Sequence, residues 1–125
     1  MLFYFDNTSY IKIKHAQTDS TDSKERETRV ALMLAALGNE SRLRIYRLLI
    51  RAGRNGSNVG DLQEQLDIPA STLSHHIAAL RHAELITQRR QGRAIISFAN
   101  YANMDELIGY LSEECCADEN DGKSP

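Results

Sequence analysis

The chain has 125 residues, 42% hydrophobic and 26% charged, which is one domain's worth of length with apolar material for a single core, and this excludes wholesale disorder. No stretch approaches the roughly 20 apolar residues of a membrane span, and the two cysteines, Cys115 and Cys116, are chain neighbours that cannot staple distant parts of a fold. The net charge of −2 hides a segregation: residues 29–100 hold ten arginines, no lysine and five acids, whereas residues 101–125 hold seven acids against Lys123.

A middle whose cations are all guanidinium suits a polyanionic partner, because the planar fork matches phosphate. On charge alone, a solvated helix face flanked by acidic tails fits equally well. The opening Met1-Leu2-Phe3-Tyr4-Phe5-Asp6 has no basic flank and no small-residue cleavage site. It is a poor signal peptide, so a cytoplasmic protein is expected. Residues 6–28 are rich in Thr, Ser, Asp, Asn and Lys, and residues 1–28 read as a flexible N-terminal arm. Within it, Tyr10-Ile11-Lys12-Ile13-Lys14 alternates and could pair as a strand on an offered edge.

From about Lys24 a helical period takes over. Val30, Met33, Leu34 and Leu37 fall on one face, and Gly38 stops the helix. Asn39 is a candidate cap for a second helix, whose stripe is Ile45, Leu48, Leu49 and Ala52 and which Gly53 closes. Arg42, Arg44, Arg47 and Arg51 lie off that stripe and read as a solvated face more readily than as a DNA contact. Arg54-Asn55-Gly56-Ser57-Asn58 reads as a loop. Val59, Leu62 and Leu66 mark a short helix ended by Asp67-Ile68-Pro69, and the proline suits the first turn of the next helix. That helix, about Ala70 to Ala83, buries Leu73, Ile77 and Leu80 and turns Ser71, Ser74, His75, Ala78 and His82 outward. Two helices joined by a tight turn form a helix-turn-helix pattern. Runs around Leu85–Arg90 and Arg93–Phe98, joined by Gln91-Gly92, read as a β-hairpin with a basic tip of Arg89, Arg90 and Arg93. Met104, Leu107, Ile108, Leu111 and Cys115 make a last helical stripe. An apolar terminal helix in so short a chain needs a cover, and a second copy of the protein is the expected one.

The order helix, helix, helix-turn-helix, basic hairpin, helix is that of a winged helix-turn-helix: mainly α with a small β-hairpin. Three blocks resemble the ArsR/SmtB family of bacterial repressors: residues 34–45 the opening, residues 66–81 the recognition segment, and Gln88-Arg89-Arg90-Gln91-Gly92-Arg93 the wing. Together they are specific, and the resemblance covers about residues 29–116, leaving residues 117–125 as an acidic tail. One departure is Glu84, where the family usually has glycine after the recognition helix. The resemblance implies a homodimer joined through terminal helices, with Val30, Met33, Leu34, Met104, Leu107, Ile108 and Leu111 as the expected interface. It also implies repression by binding an inverted repeat of double-stranded DNA.

Physical reasoning beside the resemblance points to the same residues. Short polar side chains near a helix N-terminus let its backbone approach the major groove. Ser71, Thr72, Ser74 and His75 are such residues, and Arg89, Arg90 and Arg93 would grip phosphates or the flanking minor groove. Ser71 and Thr72 also suit helix capping, which can coexist with DNA contact. His76 lies between Leu73 and Leu80 and reads as a packed structural histidine.

The family's regulatory sites differ among members. Its cysteine pair near the first helix of the helix-turn-helix would fall at Asn58-Val59-Gly60-Asp61, which offers neither cysteine nor histidine. A zinc site on the last helix lacks histidines, since residues 101–116 supply only Asp105, Glu106, Glu113 and Glu114; His15 and His82 stand at no ligand spacing. Glu114-Cys115-Cys116 resembles the vicinal pair of arsenic-responsive members, and thiolates suit a thiophilic effector such as trivalent arsenic or antimony. No constitutive cofactor is expected. Neighbours on an intact helix point about 100° apart, so capture by both sulfurs asks the helix end to fray. Inorganic trivalent arsenic prefers three sulfurs, and the chain supplies two; a partner subunit, a free thiol or a mono-organic arsenical would resolve the deficit. Oxidant or reactive-sulfur sensing by the pair is the alternative, as is an idle Cys116 beside a packed Cys115. The acidic neighbours disfavour a fast oxidant sensor. A winged-helix protein–protein module is a further alternative. An enzyme is not expected: the sequence has no phosphate loop, no HExxH pattern and no nucleophile–base–orienter set.

Overall fold

The computed structural model describes residues 20–119. The elements run α1 (Ser20–Leu37), α2 (Glu40–Ala52), a 3-10 turn (Gly53–Asn55), β1 (Ser57–Asn58), α3 (Val59–Leu66), α4 (Ala70–His82), β2 (Ile86–Gln91), β3 (Ala94–Ala99) and α5 (Tyr101–Ser112). The three strands form one antiparallel sheet in the order β1-β3-β2. This is the winged helix-turn-helix expected, mainly helical with a small sheet. Among the described residues no helix is long and apolar enough to cross a membrane.

Local chemistry explains most of the boundaries. Gly38 and Asn39 separate α1 from α2, and the Asn39 side chain accepts a hydrogen bond from the Arg42 backbone N–H at 3.0 Å, capping α2. Asn58 caps α3 in the same way through the Asp61 N–H at 2.8 Å. Asp67 ends α3 in the left-handed region with φ 55°, and Pro69 then leads into α4. Ile45, Leu49, Leu62, Leu73, Leu80 and Leu85 are completely buried and tie α2, α3, α4 and the start of the sheet into one core. Each such side chain contributes about 1.5–3 kcal/mol of burial free energy.

The structure departs from the sequence expectations at four places. First, α1 begins at Ser20, so residues 20–28, assigned to the mobile arm, are helical. Lys24, Glu25, Arg26 and Glu27 are good helix formers, and Arg26 is anchored on α5. Tyr10–Lys14 and His15 lie outside the described residues. Second, Ser57-Asn58, expected to be loop, is a third strand paired with Ser97 and Ile96 of β3. Third, Val30, Met33 and Leu107, expected at the dimer interface, are turned into the protomer's own core with 1%, 2% and 6% exposure. The stripes of α1 and α5 cover each other there, and what stays open is Leu34, Ile108 and Leu111, with Met104 half-buried. Fourth, α5 ends at Ser112 rather than at the cysteines, because Glu113 leaves the helix with ψ 142°.

Glu84, where the family's usual glycine was expected, takes a left-handed backbone conformation that glycine adopts without strain. It sits at φ 61°, its N–H donates to the Arg81 carbonyl at 2.9 Å, and its carbonyl accepts from Asn103 Nδ2 at 2.7 Å. Both backbone groups at the helix exit are thus engaged, through a strained non-glycine residue.

Candidate functional site

On α4 the apolar and polar faces separate as the sequence period requires. Leu73, Ile77 and Leu80 are buried, while Ser71, Thr72, Ser74, His75 and Ala78 are exposed on the outer side. The N-cap of this helix is Pro69, which brings no side-chain cap. The first exposed turn thus presents Ser71, Thr72 and Ser74 around helix N–H groups that have no intrahelical partner. Small hydroxyl side chains beside free N–H groups form a surface suited to phosphate oxygens and to close approach in a groove.

His76 stands on the flank of α4, half-buried, with Nδ1 3.4 Å from Arg42 Nη1. Burial, the Arg42 charge and neighbouring His75 all hold its pKa below the ordinary imidazole value. Arg42 does not belong to the solvated face with Arg44, Arg47 and Arg51, which are exposed. Its Nε donates to the Ala36 carbonyl at 2.6 Å, satisfying the C-terminal end of α1. The histidine expectation holds; for Arg42 the solvated-face reading gives way to a structural one, because α1 presents an open carbonyl next to it.

The wing is the β2–β3 hairpin, in register from Ile86↔Ala99 to Gln91↔Ala94 and turned by Gly92 at φ 64°. Arg89, Arg90 and Arg93 are exposed at its outer end. Successive strand residues face opposite sides, and Arg89 lies over the Phe98 ring, 4.4 Å from guanidinium carbon to ring centroid. That stacking limits the side chain's freedom while leaving its charge presented. The base of the wing is tied to α4 by a polar chain the sequence reading missed. Arg81 Nη1 donates to Gln88 Oε1 at 2.9 Å, and Gln88 Nε2 donates to Ser97 Oγ, itself fully buried, at 3.1 Å. A lone serine within the apolar run Ile95-Ile96-Ser97-Phe98 was the available signal.

The thiol pair lies beyond α5. Cys115 and Cys116 are both exposed, and their sulfurs are 3.4 Å apart. The segment is a run of turns: Cys115 N–H donates to the Ser112 carbonyl, Ala117 to Glu114, and Glu119 to Cys116. Glu114 and Cys116 occupy the left-handed region at φ 62° and 64°. This backbone brings both sulfurs to the same side, so no further fraying of a helix is needed to align them. Among the described residues no cluster of three or more His, Cys, Asp or Glu side chains is arranged to hold a metal ion.

Comparison with known proteins gives a consistent picture. A helix-turn-helix domain family matches residues 37–89. The chain is 26% identical over 104 residues to the transcriptional activator HlyU of Vibrio cholerae, covering 83% of this chain and 94% of that protein. It is 37% identical over 82 residues to the arsenical resistance operon repressor of Bacillus subtilis, covering 65% of this chain and 72% of that one. Among solved structures, an ArsR-like transcriptional regulator from Rhodococcus sp. RHA1 superimposes with a TM-score of 0.63 at 25% identity, covering 74% of this chain and 83% of the other.

Proposed function

The chain belongs to the ArsR family of winged helix-turn-helix transcriptional regulators, and on that premise we propose that it is a homodimeric repressor released from an inverted-repeat operator when a trivalent arsenic or antimony effector binds Cys115 and Cys116. The observation that carries the effector reading is the 3.4 Å separation of the two sulfurs on one side of an exposed turn. A thiolate–metal bond of about 2.3 Å and the near-right-angle bite of a pyramidal ion span roughly 3.3 Å between sulfurs. Thiophilic chemistry at this pair agrees with the arsenical resistance named in the Bacillus subtilis relative. With two sulfurs per protomer, a mono-organic trivalent arsenical fills its open positions; an inorganic ion takes its third sulfur from a free thiol or the partner subunit.

DNA is gripped by Ser71, Thr72, Ser74 and His75 on the helix and by Arg89, Arg90 and Arg93 on the wing. The second copy covers the apolar face left by Leu34, Ile108 and Leu111, which are 42%, 56% and 61% exposed. Pairing there sets the spacing between two recognition helices, which an inverted repeat must match.

Binding to the DNA upstream of its own gene, titrated against salt with and without arsenite and a monomethyl trivalent arsenical, tests the reading. Specific binding that falls steeply with salt is expected, with release by an arsenical in the wild type and none in Cys116→Ala. No binding at low salt removes the operator reading. Zinc alone taken up in native mass spectrometry removes the arsenical one. Release by peroxide with no arsenical uptake selects thiol oxidation instead.

A further inference from the structure

Arg26 is an α1 residue that the DNA and effector sites do not use, yet it grips α5 at three points. Its Nη1 and Nη2 donate to Glu113 Oε2 and Oε1 at 2.9 and 2.8 Å, a bidentate fork. Its Nε lies 3.7 Å from Glu106 Oε2, and its guanidinium carbon 4.8 Å from the centroid of the Tyr110 ring. Glu106, Tyr110 and Glu113 are spaced i, i+4, i+7, so one guanidinium runs along a single face of the last two turns of α5. Arg29, one turn further along α1, also holds Glu106. Isolated surface ion pairs contribute little, but a bidentate fork combined with ring stacking and a shared carboxylate fixes geometry. Glu113 is the C-cap of α5, and Cys115 is two residues beyond it. The thiol turn therefore hangs directly from the residue that Arg26 holds.

The far end of the same helix is held by a second arginine. Arg42 donates through Nε to the carbonyl of Ala36, in the last turn of α1, and places Nη1 beside Nδ1 of His76 on the recognition helix. Val30 and Met33, between the two attachment points, are buried in the core. A packed helix moves as a unit, not residue by residue.

Resting on the effector reading above, we propose that α1 is the relay between the thiol pair and the recognition helix, with Arg26 as the positioning residue at its input and Arg42 at its output. The sulfurs already stand at the ion's bite, so capture melts no helix. It replaces two exposed thiols, whose protons are lost, by a ring closed through the ion, and locking that ring displaces the turn whose first residue is Glu113. The fork then shifts or opens, α1 is released from the end of α5, and the Ala36–Arg42–His76 contacts change with it. The coupling runs within one protomer and involves no thiol on α1.

The test uses the full chain. Native mass spectrometry with a monomethyl trivalent arsenical reads uptake, and fluorescence anisotropy on the upstream DNA, with and without the arsenical, reads release. Arg26→Ala and Glu113→Gln break the fork from opposite sides, so one stays informative if the other folds poorly, and Arg26→Lys restores charge without the fork. Typical allosteric couplings change affinity by about 5- to 150-fold. The wild type should lose operator affinity within that range on loading. Arg26→Ala and Glu113→Gln should load equally, bind DNA before loading with an affinity already weakened toward that of the loaded wild type, and lose less than about 3-fold more on loading. Arg26→Lys should fall between. Hydrogen exchange of α4 amides should respond to loading in the wild type and not in Arg26→Ala. Equal release by the wild type and both fork variants overturns the relay and leaves the effector reading standing. No uptake by the wild type overturns the effector reading itself.

Discussion

Arg42 reaches from α2 to place its guanidinium Nη1 3.4 Å from Nδ1 of His76 on the recognition helix, while its Nε closes on the Ala36 carbonyl at 2.6 Å. One side chain thus ties the end of α1, the start of α2 and the middle of α4. A permanent cation beside an imidazole disfavours the protonated ring and favours the tautomer that accepts at Nδ1. The adjacent His75 adds to the same pressure.

Stability should therefore fall in mild acid. Burial first, then Arg42 and His75, hold the folded-state pKa of His76 below its ordinary 6.5. Between those two values the unfolded chain binds the proton and the folded chain does not, so the folded state loses stability as pH drops from about 6.5 toward the folded pKa. Above that range there is no penalty. Thermal melts from pH 7.5 to 5 should show the decline in the wild type and a flatter profile in His76→Gln. Parallel profiles would place the acid sensitivity elsewhere.

How much of this was legible in the sequence depended on whether a feature is local. The Asn39 cap, the stripe of Leu73, Ile77 and Leu80, and the Gln91-Gly92 turn each rest on residues within one or two turns of one another, and each is where the period puts it. Ser57-Asn58 is a strand only because Ser97 and Ile96 pair with it, and two residues carry no alternation of their own. Val30, Met33 and Leu107 were recognisable as apolar, but a stripe does not say what covers it; here α1 and α5 cover each other. Arg42 was indistinguishable in pattern from Arg44 and Arg47, because its partners Ala36 and His76 belong to other elements. The thiol pair was readable as chemistry, whereas its alignment comes from the left-handed backbone at Glu114 and Cys116.

The wing arginines should separate by geometry. Each phosphate contact removed lowers the slope of log affinity against log salt by about 0.9. Arg90→Ala and Arg93→Ala, at exposed positions of the hairpin's outer end, should each reduce the slope by that amount per protomer. Phe98→Leu removes the ring beneath Arg89 and keeps its charge. It should weaken binding while leaving the slope unchanged, since the loss is of pre-organisation. A slope unaffected by both alanine variants would take the wing off the DNA.

The apolar surface should divide into core and interface. Leu107→Ala opens a hole in the protomer's own core and should cost about 2–5 kcal/mol in chemical denaturation. Leu111→Asp and Ile108→Asp alter side chains that are 61% and 56% exposed and should leave the protomer folded while shifting sedimentation toward the monomer. Operator affinity should fall with them, because a monomer presents one recognition helix. Wild-type association in both aspartate variants would mean that the second copy sits elsewhere.

Glu84 offers a stabilising substitution. Its φ of 61° places a Cβ in the left-handed region, while its N–H and carbonyl are both engaged, by Arg81 and Asn103. Glycine keeps both backbone hydrogen bonds and relieves a conformational cost of about 1–2 kcal/mol. Greater freedom in the unfolded chain offsets about 0.4–1 kcal/mol of that gain. Glu84→Gly should therefore raise the melting temperature by a few degrees, whereas Glu84→Ala, which removes the charge and keeps the Cβ, should not. Equal gains in the two variants would trace the effect to the carboxylate at the end of α4 and not to the backbone. Since Asn103 is on α5, the glycine variant should also retain the contact between the helix exit and α5, and its operator affinity should match the wild type.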